Sequence, residues 1–270
     1  MNRRDWPSVS LVIATYNWET ALEFCVRSAF RQVVLPTEII IADDGSGDKT
    51  RQLIEKLKEE SPVPLHHVWH PDDGFRLCSI RNKAFAKSSC DYIIQIDGDI
   101  LLSRHFIMDH LMMCESGHFV CGSRVRLVDE ETRRLFLCDS LLAKAKFFVE
   151  RDFLNSLRIP LLSRLLAKRY GREITHLRGC NMAFWRSDLI KVNGYNEDLS
   201  GWGHEDGEIA LRLHFAGVQK KFLKFGGVCY HLYHHENSKS NEQAHHDSIA
   251  KVIKEQSVWC LNGLDKHLKA

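Results

Sequence analysis

Three stretches of this chain share one pattern, a short run of apolar, mostly β-branched residues that stops at a polar or acidic loop. Val9 to Ala14 leads into Thr15-Tyr16-Asn17, Glu38 to Ala42 into Asp43-Asp44-Gly45-Ser46-Gly47, and Tyr92 to Ile96 into Asp97-Gly98-Asp99. A run that is apolar at consecutive positions has no side to turn to water, so these are predicted strands of a parallel sheet covered on both faces. The segments between them read as the covering helices. Leu22, Cys25, Val26 and Ala29 share one helical face, and Thr50, Leu53, Ile54 and Leu57 share another. A further strand is predicted at His67 to Trp69 and a helix from Ile80 to Lys87.

The second half is less regular. A strand pair is predicted near Phe119 to Leu127, strands at Cys180 to Trp185 and Val228 to Leu232, and a helix from Glu205 to Phe215. With 270 residues and no internal repeat or low-complexity linker, the chain is expected to form one domain, residues 1–270. Its parts are expected to be a ligand-binding half at about 8–125, a catalytic half at about 126–240 and a helical tail at 241–270. The expected class is α/β, a Rossmann-like, mostly parallel sheet flanked by helices with a smaller mixed region beside it.

Composition excludes several alternatives. No apolar run is long enough to span a bilayer, and the arginines near the start are not followed by an apolar segment, so neither a membrane span nor a signal peptide is expected. Nine cysteines without a Cys-x-x-Cys pair give neither a disulfide framework nor a cysteine zinc site, which fits a cytoplasmic protein. No nucleic-acid partner is expected. The net charge of +2 hides an uneven distribution: residues 144–172 carry +6, interleaved with leucine and phenylalanine, which leaves −4 for the rest. Such a stretch suits a peripheral contact with an anionic membrane face, and it equally suits helices packed on the body with a solvated basic side.

In open parallel sheets ligands bind beyond the carboxyl ends of the strands, so Asp43-Asp44 and Asp97-Gly98-Asp99 are expected to share one crevice. Carboxylates at that position suit Mg²⁺ or Mn²⁺ held together with substrate phosphates. Asp43-Asp44-Gly45-Ser46 also reads as a turn, with Ser46 or Asp48 expected to cap the next helix. Asp44 has the alternative of a hydrogen bond to a nucleobase or ribose. Arg76, Arg81, Asn82 and Lys83, near a helix start, suit diphosphate oxygens. Gly201-Trp202-Gly203-His204-Glu205-Asp206 is poor core material: it offers an aromatic platform for a sugar with a carboxylate beside it to take a hydroxyl proton. His231, His234 and His235 cluster after a strand and are candidate metal or phosphate ligands.

Ala14-Thr15-Tyr16-Asn17, Asp43-Asp44-Gly45-Ser46, Arg81-Asn82 and Ile96-Asp97-Gly98-Asp99 resemble, in that order, the nucleotide-binding half of the family 2 glycosyltransferases of GT-A fold. Asn193-Gly194-Tyr195 and Gly201-Trp202-Gly203-x-Glu205-Asp206 are similar to the C-terminal segment of β-1,4-galactosyltransferases and bacterial chondroitin-type polymerases. The resemblance implies a UDP-sugar donor, with Ala14, Thr15, Tyr16 and Asp44 at the uridine and Arg81, Lys83, Asp97 and Gly98 toward the diphosphate. It implies Mn²⁺ or Mg²⁺ on Asp97 and Asp99, completed by His231 or by His234.

Trp202 and Glu205 would line the donor and acceptor sugars, and Asp206 would be the general base. The acid after Glu205, where retaining relatives carry Asn, implies inversion. A glycan or lipid-linked glycan acceptor of cell-surface polysaccharide or lipopolysaccharide synthesis is implied, with galactose or GalNAc favoured. Two other readings stand: nucleotide-sugar hydrolysis or nucleotidyl transfer, which would use the same acids without needing the Trp202 to Asp206 string, and a non-catalytic nucleotide-sugar binder.

Overall fold

A computed structural model describes residues 6–137, 152–174, 176–201, 203–235 and 242–268. Through the first part strands and helices alternate: β1 (Val9–Thr15), α1 (Glu19–Phe30), β2 (Glu38–Asp43), α2 (Asp48–Glu60), β3 (Leu65–Trp69), α3 (Leu77–Lys87) and β4 (Tyr92–Asp97). Every residue of β1 and β2 is buried, as coverage on both faces requires. β1 lies between β2 and β4 and is parallel to both, and β3 adds in parallel to β2. The carboxyl ends of β1, β2 and β4 therefore emerge on one edge, at Thr15, Asp43 and Asp97.

The pleat sends alternate residues to opposite faces. Leu11, Ile13, Ile39, Ile41 and Ile94 pack with Leu22, Val26, Ile54 and Leu57 of α1 and α2. Val12, Ile40, Ala42 and Ile93 face the other way, against Ile80, Ala84 and Phe85 of α3 and Ile209 and Leu213 of a later helix. Each fully buried aliphatic side chain is worth about 1.5–3 kcal/mol of transfer free energy, so this double layer dominates the stability of the sheet.

Beyond β4 the order is β5 (Ile100–Leu102), α4 (Phe106–Met113), β6 (His118–Gly122), β7 (Val125–Arg126), α5 (Asp129–Leu137), α6 (Phe153–Ser156) and α7 (Pro160–Tyr170). Then come β8 (Asn181–Trp185), α8 (Arg186–Lys191), α9 (Glu205–Phe215), β9 (Gln219–Leu223), β10 (Cys229–His231) and α10 (Glu242–Glu255). A seven-stranded sheet runs β3-β2-β1-β4-β8-β6-β9, with β8 antiparallel to both neighbours and every other pair parallel. A three-stranded sheet runs β5-β10-β7. This is the mostly parallel, helix-flanked sheet expected from the sequence, and it continues past residue 125, because β8 and β9 extend it.

Several local expectations are corrected. Phe119 to Leu127 does not form a strand pair: β6 belongs to the large sheet and β7 to the small one, the chain passing between them after Gly122. Neither Ser46 nor Asp48 caps α2; Gly47 occupies the cap, its N–H donating to Asn17 Oδ1, while Ser46 N–H donates to Asp43 Oδ1. Of the basic stretch, residues 144–151 lie outside the described residues, and the remainder forms α6, α7 and their flanks. No helix among the described residues is long and apolar enough to cross a membrane.

Candidate active site

A crevice of about 1850 Å³ opens along the edge where β1, β2 and β4 end. Ala14, Thr15, Tyr16, Asp44, Arg81, Asp97, Gly98, Asp99, Glu205, Asp206, His231 and His234 all line it. The two acidic loops expected to share one crevice therefore do so, through Asp44 and the Asp97–Asp99 pair. Asp43 turns away to His67 Nε2 at 2.9 Å and serves the fold. Trp202 lies outside the described residues.

Asp44 is buried and held on both oxygens, by His70 Nε2 at 2.7 Å and by the Arg76 backbone N–H at 2.9 Å. Burial pushes its carboxyl above the ordinary range, while those two hydrogen bonds pull the other way. Lys83 does not line the crevice; its ammonium lies 3.0 Å from His70 Nδ1, behind the carboxylate. His70 was not singled out by sequence, since one histidine after a strand carries no signal of its own.

Asp99 meets the two histidines through the small sheet. β10 pairs antiparallel with β5, placing His231 opposite Ile100, and Leu232 N–H donates to Asp99 O at 3.0 Å. His231 Nε2 and His234 Nε2 lie 3.5 and 3.3 Å from Asp99 Oδ2, and the three side chains can offer ligand atoms within 4.8 Å of one another. Asp99 Oδ1 is buried without a hydrogen-bond partner. An orphaned carboxylate oxygen beside two imidazoles is a donor set that a divalent cation would complete, and the imidazoles suit Mn²⁺ better than Mg²⁺. Burial, and then the neighbouring Asp97, pushes the Asp99 carboxyl up to about 8; burial lowers His231 to about 3. His231 is thus held as the neutral imidazole a metal needs.

Asp97 stands apart from that trio. Its Oδ1 accepts from Arg81 Nη2 at 2.9 Å, and Arg81 Nη1 also reaches Asp206 Oδ1 at 3.3 Å and Glu205 Oε1 at 3.9 Å. Arg81 is fully buried in α3, its guanidinium 5.2 Å from the centre of the Tyr195 ring. It is no free cation awaiting a diphosphate: Asp97 and Asp206 already share its charge, with Glu205 farther off.

Glu205 and Asp206 open α9, where the helix dipole favours acids. Burial first, and Asp206 second, pushes Glu205 up to about 8. Burial also raises Asp206, against Arg81 and the Tyr195 hydroxyl, which donates to Asp206 Oδ1 at 2.9 Å. Tyr195 OH lies within 2.8 Å of Gln95 Nε2, and Gln95 Nε2 donates to Gly179 O at 2.9 Å. Gly179 is small of necessity, because a Cβ there would lie 1.9 Å from Asp206 Oδ2. Gln95 and Gly179 escaped the sequence reading; a polar residue inside an otherwise apolar β4 was the one available hint.

A mostly parallel-sheet domain with a strand-end crevice, a carboxylate–imidazole trio and an acid pair at a helix start has the GT-A fold of the sugar transferases. The chain belongs to glycosyltransferase family 2, whose model matches residues 10–192, and residues 161–235 match a model described as N-terminal domain of galactosyltransferase. It is 25% identical to the chondroitin synthase of Pasteurella multocida over 96% of this chain and 29% of that protein. To the Escherichia coli chondroitin synthase it is 21% identical, over 93% of this chain and 38% of that one.

The hyaluronan synthase of Pasteurella multocida is 33% identical over 87% of this chain and 21% of its own length. The chain thus spans well under half the length of these relatives. Similar folds are a Pyrobaculum calidifontis mannosyltransferase in complex with GDP-Man and Mn²⁺ (TM-score 0.61, 20% identity, 92% of this chain and 65% of that one). Another is S. aureus TarS 1-349 with UDP-GlcNAc (TM-score 0.65, 14% identity, 92% and 66%).

Proposed function

We propose that this protein is a metal-dependent, inverting glycosyltransferase that moves a hexose or N-acetylhexosamine, of galactose or GalNAc type, from a UDP-sugar to a hydroxyl of a glycan acceptor. The observation that carries the reading is the sharing of one crevice by three groups with distinct tasks: Asp44, the Asp99–His231–His234 trio, and Asp206. The chondroitin synthase and hyaluronan synthase relatives support the polysaccharide-synthesis setting.

Asp44, fixed by His70 and the Arg76 N–H, accepts a hydrogen bond from the uracil or ribose, with Ala14, Thr15 and Tyr16 around the ring. Asp99, His231 and His234 would hold Mn²⁺, which would supply positive charge against that growing on the departing UDP. Asp206 is the general base. Its Oδ1 is occupied by Tyr195 and Arg81, which leaves Oδ2 to take the proton of the attacking acceptor hydroxyl. Attack comes from the face opposite the leaving group, so a single displacement inverts the anomeric centre. Glu205, adjacent to that base in α9, and Trp202 bind the sugars.

Incubation with Mn²⁺, a panel of UDP-sugars and a pool of glycan acceptors tests the reading. UDP release with UDP-galactose or UDP-GalNAc, suppressed by chelator and dependent on acceptor, is expected. If no UDP-sugar raises the melting temperature in Mn²⁺, where a bound donor must stabilise the fold by mass action, the reading fails.

A further inference from the structure

The helix α7 leaves two of its four leucines uncovered. Its inward positions are small: Ser163 and Ala167 are buried against β9 and its surroundings, and Gly171, just past the helix, lies so close that a Cβ would fall 2.0 Å from Lys220 O. Leu162 and Leu166 are half-buried beside them, but two large apolar residues point outward, Leu161 at 72% and Leu165 at 71% exposure. Along the same exposed stripe, at helical spacing, stand Arg164, Lys168, Arg169 and Arg172.

Lys168 reaches Glu115 at 3.5 Å; the three arginines have no acidic partner among the described residues. Phe153, Leu154 and Ile159, immediately before α7, are exposed as well. Arg158, by contrast, is tied to the buried Asp109 by hydrogen bonds of 2.7 to 3.0 Å and anchors this segment to the body.

Packing on the body uses Ser163, Ala167 and the half-buried Leu162 and Leu166, which leaves Leu161 and Leu165 uncovered and ringed by cations. We propose that the outer face of α7, with Phe153 and Leu154, is a docking surface for an anionic phospholipid bilayer. The leucines enter the headgroup boundary and the arginines and Lys168 meet the phosphates. Phe153, Leu154 and Tyr170 also line the crevice, so this contact sets the crevice mouth at the bilayer surface, where a membrane-borne acceptor would present its hydroxyl. The binding itself does not depend on the transferase reading and is measured without turnover.

The test is co-sedimentation of the full chain with phosphatidylglycerol-containing vesicles and with pure phosphatidylcholine vesicles, at low and at high salt. Binding is expected to the anionic vesicles alone and to be released by salt. Each basic residue near such a surface contributes about 1 kcal/mol, so the triple variant R164Q/K168Q/R169Q is expected to bind about a hundredfold more weakly. The variant L161S/L165S is expected to lose binding at high lipid charge too. Both change exposed positions, and unaltered melting temperatures confirm that they fold. Absence of binding, equal binding to neutral vesicles, or undiminished binding by both variants overturns the proposal.

Discussion

The two banks of the crevice both carry buried carboxylates, but they hold them by different means. On the bank built by β1, β2 and β4, Asp44 sits at a strand end and takes its partners His70 and Arg76 from the segment that follows, within 32 residues. On the bank built by α9, Asp206 depends on Arg81, 125 residues earlier, and on Tyr195, itself locked to Gln95 from β4. The first arrangement forms with the parallel sheet. The second exists only when the whole domain has closed, so substitutions on the two banks should separate binding from chemistry.

Asp206→Asn gives the widest separation. Removal of a general base costs about 10²–10⁴-fold in rate, so transfer is expected to fall by that much while the Mn²⁺-dependent rise in melting temperature with donor persists. Loss of both together would place Asp206 among the donor-binding groups and erase the distinction between the banks.

Arg81→Met attacks the bridge itself. Removing one partner of a buried ionic cluster typically costs about 3–5 kcal/mol, and Asp97 and Asp206 would be left sharing no cation. Chemical unfolding is expected to show a loss of that size at neutral pH. A neutral outcome would mean that the acids are held protonated and that Arg81 does not bind the banks together.

Gly179→Ala is subtler. The added methyl displaces the Asp206 carboxylate, and overpacking of this kind costs about 1–3 kcal/mol. The rate constant of transfer is expected to fall while the KM for the donor stays near its original value; a change confined to KM would show that Asp206 moves without consequence for proton transfer.

The same contrast governs what could be read from the sequence. β1, β2 and β4 announce themselves because a strand buried on both faces must be apolar throughout, and the acids that follow inherit their position from the topology. β9 gives no such sign: Gln219-Lys220-Lys221-Phe222-Leu223 looks like a solvated segment, yet Lys220 is buried and its ammonium donates to the carbonyls of Glu173 and His176. Arg81 misleads in the same way, reading as a diphosphate ligand near a helix start when it is buried and paired with Asp97 and Asp206.

The Trp202 to Asp206 string was legible as a site because its composition is unsuited to a core. Tyr195 was legible only as part of the Asn193-Gly194-Tyr195 motif, and Gln95 and Gly179 not at all, since they acquire meaning only through contacts at long range with Tyr195 and Asp206. His231 and His234 could not be told apart by spacing, and in the structure both reach the same oxygen of Asp99.

A pH-dependent effect concerns the protons stored on the second bank. Glu205, pushed up to about 8 by burial and then by Asp206, is protonated in the folded protein at neutral pH, whereas in the unfolded chain it titrates near its ordinary value of 4.5. Between those values the unfolded state releases a proton that the folded state keeps. The contribution of Glu205 to stability is therefore complete below about pH 4.5 and is lost as pH rises toward 8. Glu205→Gln removes this loss. In the absence of divalent ions the variant is expected to match the parent at pH 4.5 and to melt higher at pH 8.5, with a slope that remains because Asp99, also pushed up to about 8, still titrates. Parallel curves for variant and parent would show that Glu205 is ionised in the fold, with Arg81 supplying to Glu205 the charge that the geometry assigns mainly to Asp97 and Asp206.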